Sequence, residues 1–385
     1  MKFTILLWLG LLSGTLTLQA QVSVPHRNAE TEKLDRLLKR LVEEKRIMFG
    51  MANPTTIGFA AGPQNSDYNS SDCKDITGDH PAFHESDLMW YEENPRFREW
   101  DMNAMKEAYK RGAVLGYCWH LRGPESGQFY AAKNGMQGAD RTLAEEIVAN
   151  PDRGSNQKLD WYLTRIDSIA IPVFRELNCP LVFRPFHEMT GEWFWWGRQI
   201  GSDCYRKLFR LTVEYLRSKG VDNLLYCWAP DKFVDFDFYP GDEYVDVLGL
   251  DIYEPGLSPI YPKEKLIENL TLICDYAAAH DKVAAWTEVG CRPTETGISR
   301  YPEQYPDFWT TYVWDVVTEN PQAGRLAWIA SWYNADWKRD GSSTSFIPYK
   351  GMKRKKARKA IKDFRKMYAY PNSVFERDMK EMTAF

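Results

Sequence analysis

The chain has 385 residues, 44% hydrophobic and 14% aromatic, with a formal net charge of −4. A chain of this length buries a sizeable core, and its weakly acidic balance leaves no electrostatic footprint for nucleic acid. No Pro/Ser/Gly linker, low-complexity tract or repeated motif divides it, so one domain is expected after the N-terminal segment.

Met1 to Ala20 carries Lys2, an apolar run through Leu9 and Leu18, and a small residue at Ala20 before a polar segment. This is the form of a secretory signal peptide, although Leu18 stands where a small residue is usual two before Ala20. A membrane anchor is disfavoured, because Gly10, Ser13, Gly14 and Thr15 interrupt a run shorter than about 20 residues. No cysteine follows the run at once, so a bacterial-type lipid anchor is unsupported. The expectation is an exported chain, periplasmic or secreted, whose mature part from residue 21 to 385 has no membrane span.

Eight apolar runs read as strands: Thr56 to Ala60, Asp87 to Trp90, Ala113 to Trp119, Leu181 to Phe186, Leu224 to Trp228, Val245 to Leu250, Val283 to Thr287 and Leu326 to Ser331. Helix-period segments separate most of them, among them Ala144 to Asn150, Trp161 to Leu177, Cys204 to Lys219 and Lys263 to His280. Strands alternating with helices eight times predict the α/β class and a single (β/α)8 TIM barrel. The basic run from Lys353 to Arg365 contains Ala357, Ala360, Ile361 and Phe364 at helical spacing. It therefore reads as the solvated face of a terminal helix rather than a polyanion site.

The seven cysteines form no CxxC pair, and Cys118, Cys179 and Cys227 lie in or beside apolar strands, where small buried hydrophobes are expected. The six histidines are scattered without an HExxH or similar spacing, which gives zinc little support. Active sites of barrels lie at the carboxyl ends of the strands. The polar residues found there are His120, Glu188, Asp251 with Tyr253, Glu288, and Trp332 with Asn334.

The densest of these places is FRPFHEMTGEWFWWG, Phe183 to Gly197, which gathers an arginine, a histidine, two glutamates and a cluster of aromatics behind a strand-like run. Glu188, between His187 and those aromatics, is expected to be desolvated, which raises a carboxyl pKa and suits a general acid; the bland reading is a solvated loop acid. Glu288 ends the run VAAWT, and regular alternation would turn Trp286 and Glu288 the same way; its bland reading is a structural ion pair. His120 is otherwise a satisfied core histidine, and Tyr253 otherwise packing. Trp195 and Trp196 are ambiguous, since barrel aromatics are often core. Trp193 and Trp332, beside the two acids, suit platforms for sugar rings, whose C–H faces stack on indoles. Two buried carboxyls in an aromatic-lined cleft point to glycoside hydrolysis. A separation of about 5–5.5 Å would mean retention of configuration and about 6.5–9.5 Å inversion.

RPFHEMTGEWFWWG at Arg184 to Gly197 closely resembles the acid/base motif of glycoside hydrolase family 26, a mannanase-rich family of retaining (β/α)8 enzymes. The resemblance continues in SDCKDITGDHPAF at Ser71 to Phe83, YPGDEYVDVLGLDIY at Tyr239 to Tyr253, WTEVG at Trp286 to Gly290 and AWIASWYN at Ala327 to Asn334. It implies Glu188 as acid/base and Glu288 as nucleophile, ionised by hydrogen bonds and held by Tyr253. His187 takes the place that asparagine holds in most of the clan, against the sugar at the cleavage point, where it would meet the axial 2-hydroxyl of a mannoside. His120 and Trp332 would line the same subsite, Trp193 the leaving-group side, and Arg184 and Asp251 would be supporting polar residues. The implied activity is double-displacement cleavage of β-1,4-mannan or manno-oligosaccharides, endo-acting or mannobiose-releasing, by a monomer without metal or organic cofactor. A β-glucanase or β-xylanase of the same family, or a non-catalytic glycan-binding protein, are the alternatives.

The sequence departs from the family at Met48 to Asn65, where Met51 and Ala52 replace the polar residue that many relatives carry soon after the Phe-Gly pair. That loop and the one from Pro124 to Asp140 are expected to bear on whether the cleft is open or a pocket.

Overall fold

The computed structural model describes residues 26–61, 67–131, 139–257, 261–291, 301–336, 343–353 and 355–383. The proposed signal peptide and residues 62–65, 132–138 and 354 of the segments discussed above lie outside them.

Parallel strands close into a ring: β1 (Ile47–Ala52), β2 (Phe83–Asp87), β3 (Val114–Cys118), β4 (Leu181–Arg184), β5 (Leu224–Trp228), β6 (Val247–Leu248), β7 (Asp251–Tyr253), β8 (Val283–Ala284), β9 (Trp286–Gly290) and β10 (Trp328–Ser331). β6 and β7 are two halves of one barrel strand, and so are β8 and β9. β5 pairs with β6, β6 with β8, β7 with β9, β9 with β10 and β10 with β1, so eight barrel strands complete the circle.

Alternation along the strands sorts the core into two layers. Met48, Phe83, Val114, Val182, Leu225, Val247, Val283 and Trp328 turn inward, and the stripe Leu34, Leu37, Leu38 and Leu41 of the helix Ala29–Glu43 closes that interior at the strands' amino ends. Asn28 starts this helix by accepting from the Thr31 N–H, as an N-cap should. Inside the barrel, Phe83 stacks on Trp328 with centroids 4.7 Å apart. The ring fits because Gly50 and Gly116 flank it; a Cβ on Gly116 would sit 2.6 Å from Phe83 Cζ. The outer layer is the packing of strands against helices, with Leu115, Phe183, Leu248 and Trp286 facing out.

The first barrel strand is Ile47–Ala52, not Thr56 to Ala60. The latter forms turns after Asn53, at φ +44°, and its N–H groups at Phe59 and Ala60 donate to Asp72. The second is Phe83–Asp87, four residues earlier than expected, because its polar residues do not read as a buried strand until their partners are known. Strand four stops at Arg184, two residues early, where Phe186 turns to φ +50°. The expected helix from Trp161 to Leu177 is one run from Gln157 to Leu177 with a π turn at Ile166–Ala170. The terminal helix Ala357–Tyr368 buries Ala357, Ala360, Phe364 and Met367. All of the seven cysteines but Cys204 are buried.

Removing the stacked ring should leave a cavity the barrel cannot collapse into: Phe83→Ala is expected to lower unfolding free energy by about 3–5 kcal/mol. The exposed control Leu272→Ala should stay within about 0.5 kcal/mol, both read from urea unfolding curves.

Candidate active site

The carboxyl ends of the strands carry the polar residues, and two backbone irregularities aim the acids. The first follows β4, where Phe186 and Glu188 both adopt left-handed conformations, φ +50° and +56°. Non-glycine residues there cost roughly 1–3 kcal/mol each and persist only when their surroundings hold them. Here the turn is tied at each step. Tyr205 Oη donates to the Phe186 carbonyl (3.1 Å), Trp196 Nε1 to that of His187 (2.8 Å), and the Glu188 N–H to the Ala229 carbonyl (2.7 Å). Trp195 Nε1 likewise donates to the Leu121 carbonyl. Two of the motif's tryptophans are thus fully buried struts, while Trp193 is half-buried and donates from Nε1 to Glu188 Oε2 at 2.6 Å.

The second irregularity lies in β9. Trp286 pairs with Ile329 and Val289 with Ser331, so three steps on β9 face two on β10. That extra residue is a bulge, and bulges re-aim side chains. Trp286 therefore packs in the outer layer, with Nε1 toward the Ile252 carbonyl, while Glu288 faces the cleft. The expectation that these two share a face fails for this reason.

Between the acids sits Arg184, about 1% exposed. Its Nε and Nη2 donate to the two oxygens of Glu85 (3.0 and 2.8 Å), Nη1 to Asp251 Oδ2 (2.9 Å) and Nη2 also to Glu288 Oε1 (2.7 Å). Tyr253 Oη donates to the other Glu288 oxygen at 2.6 Å. One guanidinium faces three buried carboxyls, so a buried proton is the economical way to balance them. Burial pushes Asp251 well above the usual carboxylate range, and the charges of Glu288 and Glu188 add to this against the pull of Arg184. Glu85 is raised by burial too, with Arg184 opposing. The upward shift favours a proton on Asp251; the Thr287 hydroxyl, 2.5 Å from Oδ1, serves either protonation state.

His187 is buried, and its pKa is driven well below the usual value by burial and by the Arg184 charge, so the imidazole is neutral. Its Nε2 lies 3.2 Å from His120 Nε2, whose Nδ1 is 2.6 Å from Asp87 Oδ2. Asp87, Cys118 and His120 bring one potential metal-ligating atom each within 4.8 Å of one another. Asp87 and His120 already bond each other, however, and burial holds the Cys118 thiol well above its usual range.

A cleft of about 670 Å³ gathers His120, His187, Glu188, Trp193, Tyr253, Glu288 and Trp332 on its walls. Arg184 and Asp251 lie beneath its floor. Asn334 does not belong to it: its amide donates to Asp72 Oδ2 and its oxygen accepts from the Phe346 and Ile347 N–H groups, so it pins a loop. Met51 and Ala52 are buried in β1. Residues missed in the sequence are Glu85, Asp87, Met89, Trp90, Arg122, Phe129, Tyr130, Phe194, Tyr333 and Phe346. The signal for Glu85 and Asp87 was present, since Phe83, Glu85 and Asp87 alternate on one face of β2. Phe129 and Tyr130 carry none, because their wall is built by pairing Tyr130 with Phe194 and bonding the Ala131 N–H to the Trp193 carbonyl across 62 residues of sequence.

Residues 24–339 match the family described as glycosyl hydrolase family 26. The chain belongs to this family. A mannan endo-1,4-beta-mannosidase of Thermothelomyces thermophilus is 27% identical over 269 residues, which cover 68% of this chain and 53% of that protein. One from Bacillus subtilis is 28% identical over 295 residues, covering 71% of this chain and 75% of that protein. A family 26 beta-mannanase structure from Bacteroides ovatus superposes with a TM-score of 0.76 at 28% identity, over 93% of this chain and 98% of that one. The family 26 chain is thus similar to the first of these proteins over about half of that protein's length. Among the described residues no helix is long and apolar enough to cross a membrane.

The electrostatic balance around Arg184 makes a separable prediction. Arg184→Met strands three carboxyls and should cost about 3–5 kcal/mol of stability. Adding Glu85→Gln and Asp251→Asn should return part of that in urea unfolding without restoring turnover, because Glu288 still lacks its cation.

Proposed function

We propose that the chain is a retaining glycoside hydrolase acting on β-1,4-linked mannan or manno-oligosaccharides, with Glu288 as nucleophile and Glu188 as acid/base. The observation that carries this is the unequal setting of two carboxyls on one cleft. Glu288 is gripped through both oxygens by Arg184 and Tyr253, whereas Glu188 meets the indole N–H of Trp193 on the opposite side. The names of the relatives support the substrate.

In the proposed cycle a Glu288 oxygen attacks the anomeric carbon while Glu188 gives its proton to the departing glycosidic oxygen. Arg184 and Tyr253 hold the nucleophile's orientation and charge until that charge passes into the ester bond. Glu188, now a carboxylate, takes a proton from water, which displaces Glu288 from the same carbon. Two inversions return the original configuration. His187, neutral and beside both acids, contacts the sugar at the cleavage point, Trp332 and Trp193 stack on rings to either side, and neither step needs a metal or organic cofactor. The sequence of Met1 to Ala20 supports export to the periplasm or beyond. A purely glycan-binding protein would use the same tryptophans but has no need of a carboxyl clamped by arginine and tyrosine.

Wild type, Glu188→Ala and Glu288→Ala should be incubated with linear mannan and with mixed-linkage β-glucan, following reducing ends and product sizes. Wild type is expected to cut mannan, and Glu288→Ala to lose about three orders of magnitude or more. Mannobiose alone at early times means chain-end action, and a ladder means internal cuts. Cleavage of glucan only discards the substrate, while mannan cleavage that survives both substitutions discards the mechanism. His187→Ala should lower kcat/KM on mannan at least tenfold; unchanged turnover removes His187 from the subsite.

A further inference from the structure

Asp87, the last residue of β2, is fully buried at the edge of the site, and none of the roles given above uses it. Its Oδ1 accepts from the N–H groups of Met89 (2.9 Å) and His120 (3.1 Å), and its Oδ2 faces His120 Nδ1 at 2.6 Å. The other His120 nitrogen is 3.2 Å from His187 Nε2. His187 Nε2 is in turn 3.9 Å from Glu288 Oε1, and His187 Nδ1 is buried without a hydrogen-bond partner. These contacts form one line from Asp87 to the proposed nucleophile.

Two ring nitrogens at hydrogen-bond distance must be one donor and one acceptor. If His120 donates from Nε2, His187 accepts at Nε2 and, being neutral, carries its proton on Nδ1. A buried N–H is then left unpaired, at a cost of about 1–3 kcal/mol, and a lone pair points toward Glu288. If His187 donates, its bare Nδ1 is the less costly atom to leave unpartnered, and an N–H faces Glu288 instead. The choice is made at the far end of the line. A carboxylate at Asp87 accepts the proton of His120 Nδ1, which leaves His120 Nε2 bare when that ring is neutral.

We propose that Asp87 is a positioning residue that, through His120, fixes His187 as the Nε2–H tautomer. The histidine pair then presents one acceptor, His120, and one donor, His187, to a sugar hydroxyl at the cleavage point, with no lone pair toward Glu288. Burial alone would raise Asp87, but the hydrogen bonds it accepts from the His120 ring and from the Met89 and His120 N–H groups oppose this and favour the carboxylate, as an acceptor must be. The consequence for turnover rests on the function proposed above; the tautomers do not.

Asp87→Asn isolates this role. Its amide oxygen keeps the bonds from Met89 and His120 N–H, while Nδ2 replaces Oδ2 and donates to His120 Nδ1. Both rings should then invert. With 15N-histidine, long-range 1H–15N spectra of the full chain resolve ring tautomers. The six histidines make the spectrum tractable, with His120→Gln and His187→Gln assigning the signals. The expected wild-type pattern is Nδ1–H on His120 and Nε2–H on His187, and the reverse in Asp87→Asn. On mannan the variant should lose about 10- to 100-fold in kcat/KM, with its urea midpoint little changed. In a His120→Gln background the same substitution should have no further effect, because nothing remains to relay it. Nδ1–H on His187 in wild type overturns the proposal, whether or not the variant folds. Fully additive losses in the double variant also overturn it. A wild type that leaves mannan uncut but shows the expected tautomers removes the substrate assignment and leaves the relay standing.

Discussion

The site is organised by a shortage of positive charge. Among the described residues Arg184 is the one cation that reaches Glu85, Asp251 and Glu288, and all four side chains are withdrawn from water. Buried ions are tolerated only when paired and hydrogen-bonded, so each carboxyl must take a share of the guanidinium or keep a proton. Burial biases Asp251 toward the second. The shortest of the arginine's contacts, 2.7 Å from Nη2, goes to Glu288. Tyr253 completes the grip from β7, the strand half paired with Glu288's own, Asp251 lying directly opposite Glu288 in the register. The same low-dielectric pocket that makes the cluster costly makes its geometry stiff, which is what a nucleophile held for attack requires.

A parallel barrel presents strand ends at fixed spacings, and the two acids depart from that regularity in ways the fold has to sustain. Glu188 stands on a left-handed turn tied down by tyrosine, tryptophan and backbone donors, and Glu288 on a bulge where β9 gains a residue over β10. Neither device would survive in a loose shell. The glycines of the motif contribute by leaving room: a Cβ on Gly191 would lie 2.2 Å from the Trp193 ring that bonds Glu188, and one on Gly290 would lie 2.3 Å from Phe346. The aromatic richness of the Phe183–Gly197 segment thus divides into struts that hold the backbone, Trp195 and Trp196, and a face that meets the cleft, Trp193.

Much of this was legible in the sequence. Alternating apolar runs and helix-period segments give the barrel, and seven of the ten residues named from strand ends and family resemblance line one cleft, with Arg184 and Asp251 directly below. The failures have physical causes. β2 was placed late because a strand reading Phe-His-Glu-Ser-Asp looks polar until Arg184 and His120, 99 and 33 residues away, are known to hydrogen-bond its carboxylates. Regular alternation would turn Trp286 the same way as Glu288, and it does not because a bulge leaves no mark on residue identity. The Phe129–Tyr130 wall was invisible because it depends on loop-to-loop pairing, which has no period to read. Asn334 looked like a site residue because a strand-end position says where a side chain begins, and only its bonds to Asp72, Phe346 and Ile347 say what it does.

The account's central claim is that Glu288 becomes bonded to the sugar and Glu188 does not. Glu188→Ala with an aryl β-mannobioside whose leaving group departs without protonation should form the glycosyl-enzyme quickly and hydrolyse it slowly. Intact-protein mass spectrometry followed by peptide mapping is therefore predicted to show one added mannobiosyl unit on the peptide containing Glu288, decaying when a small external nucleophile such as azide is supplied. A sugar found on any other residue, or steady turnover with no adduct and an inverted first-formed product, would contradict it.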